Sequence, residues 1–190
     1  MALPSNILMT PDSNLLYPLN EFYEQSGLPL PAAVQVTAGD VPEPYRSLLV
    51  HAREMTPTLE SAYRRSIVLR VRKYALRHNV LSREVVLAAG AAAVAFCAIK
   101  IYLEHFPSEA RRLVLERKQP LGTILHTQDV AHSSHPVAYF EVAADAVIRG
   151  ALDLKDPGLL YGRQNLLLDS AHHTLARVVE ILPSSHPAST

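Results

Sequence analysis

Two charged residues sit on strand faces that are otherwise apolar. Over residues 175–182 a period of two places Ala176, Val178, Glu180 and Leu182 on one face, and Leu175, Arg177, Val179 and Ile181 on the other. Glu180 therefore has only apolar neighbours on its own face. A carboxylate there costs free energy unless it is paired, hydrogen-bonded or protonated. A solvated face, or a position at a strand end, is the plain alternative. Residues 80–88 repeat the pattern with the opposite charge, because Leu81, Arg83, Val85 and Leu87 share a face. Such residues have two uses. One is a structural ion pair within a sheet. The other is an Arg that clamps a ligand carboxylate beside a Glu that moves a proton in a dry pocket.

Other chemistries find less support. Nine histidines invite a metal, but His132 and His135 fall in a Ser-rich stretch and His172 and His173 in a turn-prone one. No HExxH or Cys/Asp/Glu ligand spacing accompanies them, so solvated loop histidines and no metal are expected. GxSxG, GxGxxG and P-loop motifs are absent. The pairs Arg64-Arg65 and Arg111-Arg112 read as solvated faces. The one cysteine, Cys97, lies in an apolar run and reads as a small buried side chain. It allows no intrachain disulfide and fits a reducing, cytoplasmic setting.

The elements that must position Arg83 and Glu180 follow from local pattern. The 190 residues, 48% hydrophobic and 19% charged, suit one domain with a substantial core. A net charge of zero offers no basic excess to nucleic acid and no polybasic tract to a membrane. The opening MALPSNILMTPDSN lacks the basic and apolar regions of a signal peptide, and residues 1–14 read as a loose lead-in. The uncharged run Val85–Ile99 is too short to span a bilayer, which takes about 20 residues. It reads as two buried strands around Ala89-Gly90, with a buried Ala-rich helix as the competitor.

Further elements complete the order. Short helices are expected over residues 15–25 and 44–54, with a Pro- and Ala-rich loop over 28–43. Pro57 is expected to end the second helix. Residues 67–76 alternate as a strand with Lys73 out of pattern, followed by a turn at Arg77-His78-Asn79 and strands over 80–88 and 91–103. Residues 107–117 form a helix and 123–125 a helical turn. Residues 137–143 read as a strand, 145–152 are ambiguous, and 160–183 form a hairpin turning at 169–173. Strands without regular βαβ crossovers argue for α+β with a mainly antiparallel sheet.

These segments together resemble chorismate pyruvate-lyase, the family that makes 4-hydroxybenzoate. Tyr161-Gly162-Arg163, then the hairpin and Glu180-Ile181-Leu182-Pro183, are similar to its C-terminal motif. Pro120-Leu121-Gly122 is similar to its Pro-Leu-Gly segment, Ser82-Arg83-Glu84 to its substrate-Arg strand, and Glu54-Met55-Thr56 to its Met-Thr segment. The likeness runs from about Arg53 to Pro183. It implies an antiparallel sheet with helices packed on one side, related to UTRA effector domains. It divides the chain into an N-terminal extension with short helices (1–50), the domain (51–183) and a disordered tail (184–190). The family's substrate positions carry over to Met55, Arg83, Leu121 and Glu180, with the amides near Leu121 and Gly122 assisting. The implied reaction eliminates pyruvate from chorismate, a dianion, as a step of ubiquinone biosynthesis. Arg83 would hold one carboxylate, and Glu180, its pKa raised by burial, would move the proton, with no cofactor. The chain departs from the pattern in a shorter link between Met55 and Arg83, and in lacking an Arg around Cys97-Ala98. The alternative of another class is a non-catalytic domain that binds a small aromatic carboxylate on the same fold. Either way the expected partner is a small molecule, without nucleic acid or membrane insertion, in a monomer or dimer.

Overall fold

The computed structural model describes residues 14–184. Most of the expected lead-in and tail lies outside that range. The elements are α1 (Leu19–Gln25), β1 (Ala33–Val36), α2 (Tyr45–Leu49), α3 (Met55–Tyr63), β2 (Ile67–Arg77), β3 (Val80–Ala89), β4 (Ala92–Tyr102), α4 (Ser108–Glu116), α5 (Leu121–Thr127), β5 (His132–Ala143), α6 (Ala146–Leu152), β6 (Leu159–Asp169) and β7 (Thr174–Ile181). The seven strands form one antiparallel sheet in the order β1-β5-β6-β7-β4-β3-β2. β4 and β7 pair at its centre, so the first meander and the final hairpin, distant in sequence, become neighbours.

The period of two assigns the faces. Val86, Phe96, Ala98, Val179 and Ile181 pack against α1 and α6 on one side. Val85, Leu87 and Cys97 meet α2 and α3 on the other, and Ile99, Leu167 and Val178 meet α4 and α5 there. That second face, covered by α2 to α5, carries Arg83 and Glu180. The run Val85–Ile99 is a hairpin turning at Gly90-Ala91, not an Ala-rich helix, since both its strands find partners.

Several local expectations are corrected. Residues 28–43 are not all loop: Ala33–Val36 adds an edge strand to β5, a pairing of four residues that its Pro- and Ala-rich flanks conceal. The helix expected over 44–54 closes at Leu49. Pro57 does not end a helix but occupies the first turn of α3, where its missing N–H and fixed φ are tolerated. β5 starts at His132, so His132 and His135 are strand residues and not loop residues. Residues 145–152 resolve to α6, capped by Asp145, whose carboxylate accepts from the Ile148 amide at 2.9 Å. Lys73 breaks the alternation because the register shifts between Val71 and Lys73. The shift sets Lys73 opposite Glu84, which also takes a 3.0 Å bond from Arg72 Nε.

Candidate functional site

One cavity on the α2–α5 face is lined by all five residues singled out from sequence: Met55, Arg83, Leu121, Gly122 and Glu180. The strands supply its floor. β3 contributes Arg83, Val85 and Leu87; β4 contributes Cys97 and Ile99; β7 contributes Val178 and Glu180. The starts of two helices form the roof, with Glu54, Met55 and Thr56 at α3 and Pro120, Leu121 and Gly122 at α5. Gly122 allows those helix starts to meet. A Cβ there would lie 3.0 Å from Glu54 Oε2 and 3.2 Å from Thr56 Oγ1.

Arg83 is 1% exposed, and its Nε and Nη1 have no hydrogen-bond partner among the described residues. Burial pushes its pKa down to about 10, with Cys97 acting in the opposite direction. The guanidinium therefore stays charged at neutral pH. Two unpaired buried donors on a cation carry a desolvation cost that folding alone does not recover.

Glu180 has a different arginine. Arg163 stands directly opposite it on β6, and its Nε donates to Glu180 Oε2 at 2.5 Å. Arg163 is fully buried, and its other nitrogens reach the segment before α3. Nη1 donates to the carbonyls of Leu49 (3.1 Å) and His51 (3.0 Å), and Nη2 to that of Arg53 (3.2 Å). Nη1 also approaches His51 Nδ1 at 3.3 Å, while His51 Nε2 faces the Leu48 carbonyl at 2.8 Å. This arrangement sets the tautomer, with Nε2 donating and Nδ1 accepting. Burial first and the Arg163 charge second hold the His51 pKa below its ordinary value, which suits a neutral ring.

At the cavity rim Glu54 Oε1 lies 2.6 Å from His132 Nε2, and His132 Nδ1 lies 2.7 Å from the Val130 carbonyl. Both ring nitrogens face acceptors, so the protonated ring satisfies both. The Glu54 bond is the main cause that lifts the His132 pKa above its ordinary value. Cys97 is fully buried, and burial, with Glu180 adding to it, pushes its thiol well above the usual range. A protonated, enclosed thiol is no nucleophile. Asn165 exchanges hydrogen bonds with Ser134, its Nδ2 donating to Oγ at 2.9 Å.

The cavity volume is about 60 Å³. A benzene ring occupies an engineered apolar cavity of about 150 Å³. A ring-sized ligand therefore needs lining side chains to shift.

Arg163 lies in the segment similar to the family's C-terminal motif but is not among the residues that the apolar-face pattern or the resemblance assigns to the site. A signal was present, since Arg163 shares its strand face with Tyr161, Asn165 and Leu167 inside a largely apolar run. Away from the cavity, His105, Asp169 and His173 bring ligand-type atoms within 4.8 Å of one another. The two imidazoles are stacked at 4.8 Å and 5°. Their faces, not their nitrogen lone pairs, are turned to each other. Among the described residues no helix is long and apolar enough to cross a membrane.

No protein-family model and no curated protein matches the sequence. Solved structures do match in fold. PhnF from Mycobacterium smegmatis aligns with a TM-score of 0.58 at 13% identity, over 74% of this chain and 68% of that one. The effector domain of PhnF aligns with a TM-score of 0.54 at 12% identity, over 69% and 88%. The possible transcriptional regulator YydK from Bacillus subtilis gives 0.54 at 10% identity, over 90% and 79%. At these identities the likeness concerns the fold, and this chain has the antiparallel α+β fold that UTRA effector domains share with chorismate lyases.

Proposed function

We propose that this chain is a small-ligand-binding domain whose cavity takes an organic carboxylate at Arg83. The observation that carries the proposal is the buried guanidinium with two unpartnered nitrogens on a cavity wall. A carboxylate supplies charged acceptor oxygens, which make short, strong hydrogen bonds to such donors. Leu121 and Met55 provide apolar walls. The effector-domain neighbour supports binding over turnover.

A second reading rests on the presence of Glu180 in the same cavity. Here the chain eliminates pyruvate from chorismate. The ring loses a proton as the ether C–O bond breaks, and aromatisation to 4-hydroxybenzoate drives the step. Glu180 would move the proton while Arg163 orients it.

One experiment separates the two. The purified chain is titrated calorimetrically with 4-hydroxybenzoate, and incubated with chorismate while pyruvate is followed. Saturable binding without pyruvate release supports the binding reading. Pyruvate release that disappears in Glu180→Gln supports the lyase. Neither binding nor release would sink both.

A further inference from the structure

We infer that the cavity selects a monoanion: one carboxylate at Arg83, an apolar body, and no second anionic group. This deepens the carboxylate-binding reading and rests on it. The argument is a count of charges and polar atoms. Arg83 is the cavity cation with unpartnered donors among the described residues. The Glu180 carboxylate is already paired with Arg163, whose three nitrogens contact that carboxylate, three carbonyls and His51. Glu54 is an acceptor already matched by His132, and Asn165, a neutral amide, exchanges hydrogen bonds with Ser134, so neither brings a second positive charge to a ligand. The remaining wall is mainly aliphatic, from Leu69, Val85, Leu87, Ile99, Leu167 and Val178, with the neutral side chains of Thr56 and Cys97 among it.

A second anionic group on the ligand would find no second Arg or Lys among the lining residues, and would meet mainly aliphatic side chains or the carboxylates of Glu180 and Glu54. The first leaves a charge desolvated and unpaired, and the second adds like-charge repulsion. The site thus rejects a dianion through what surrounds the clamp and not through the clamp itself. Chorismate, with two carboxylates, would have one of them unmatched. An apolar acid has its one charge met by Arg83 and its body by the aliphatic wall.

The test is an NMR-monitored titration of the full chain at neutral pH with matched acids: butyrate against succinate, and benzoate against isophthalate. In each pair the second acid carries one further carboxylate, in place of the methyl of butyrate or a ring hydrogen of benzoate. The monocarboxylate of each pair is expected to bind at least tenfold more tightly, and Arg83→Met is expected to abolish its binding. Equal or tighter binding of the dicarboxylates that still depends on Arg83 overturns the monoanion inference and leaves the carboxylate-binding reading standing. Absence of binding by all four acids, or binding unchanged in Arg83→Met, overturns the reading itself and the inference with it. Because the substitution removes a buried unpaired charge, the variant is expected to fold, and its melting temperature verifies this in the same sample.

Discussion

Glu180 and Arg163 are direct cross-strand partners joined by a 2.5 Å hydrogen bond, so the carboxylate that shares a cavity with Arg83 is bound to another arginine. The distinction separates two jobs. Arg163 consumes its donors inside the protein and ties β6 and β7 to the segment that leads into α3. Arg83 leaves donors unspent at the cavity wall.

Arg163→Met is therefore expected to be severe. It strands the Glu180 carboxylate and frees the carbonyls of Leu49, His51 and Arg53. Breaking a buried pair by removing one member costs about 3–5 kcal/mol. Urea denaturation checks the loss, and amide exchange should show segment 49–53 opening before the sheet. Arg163→Lys should rescue little, because one ammonium cannot reproduce the fork.

Arg83→Met should act in the opposite direction. Without ligand, the wild-type cavity holds a desolvated guanidinium with two unpaired donors, a cost of about 1–3 kcal/mol per buried group. The variant should melt at a higher temperature than wild type in ligand-free buffer and should lose carboxylate binding. A lower melting temperature, with binding retained, would assign Arg83 a structural role.

These opposed outcomes show what the sequence carried. Period-two alternation exposes a charge on an apolar face, so Arg83 and Glu180 could be picked out. Their shared cavity depends on the β4–β7 pairing, which lies between segments about eighty residues apart and has no local signal. Assigning Arg163 to Glu180 requires the β6–β7 register, which slips between Leu167 and Leu168. β1 escaped because its four residues take their order from pairing with β5 and not from their own pattern. Met55, Leu121 and Gly122 stand out only through the resemblance, because their spacing carries no periodic signal.

Met55 and Leu121 close the cavity roof and are 4% and 5% exposed. Leu121→Ala should cost about 2–5 kcal/mol of stability, as large-to-small changes in cores do. It should also enlarge a cavity that is too small for a ring. Benzoate should consequently associate faster with Leu121→Ala than with wild type. Stopped-flow or NMR line-shape measurements check the rate, and an unchanged rate would show that the ligand does not pass between these side chains.

Gly162 should tolerate no side chain. A Cβ would lie 2.5 Å from the Glu180 carbonyl oxygen and 2.6 Å from two Phe140 ring carbons. Gly162→Ala must push β6 from β7 beside the Arg163–Glu180 pair, and overpacking of this kind costs about 1–3 kcal/mol. Chemical denaturation measures the loss. Weakened carboxylate binding in the still-folded variant would show that the pair's position matters to the site.

The Glu54–His132 pair predicts a pH dependence of determined sign. The folded His132 pKa is raised above its unfolded value of 6.5, mainly by the Glu54 hydrogen bond. Its stabilisation is fully present below the unfolded pKa and is lost as pH rises through the folded one. His51 is shifted downward, so its effect falls on the acid side of 6.5 and does not obscure this window. Stability should therefore decline as pH rises above 6.5, and His132→Gln should remove that slope. Ligand affinity should decline over the same range. Deprotonation of His132 leaves Glu54 with an unbalanced negative charge at the rim of a cavity whose Arg83 must attract an anion. Carboxylate affinity measured from pH 6 to 9 in wild type and His132→Gln checks the argument. A wild-type affinity flat across that range would place Glu54 outside the electrostatic reach of the bound anion.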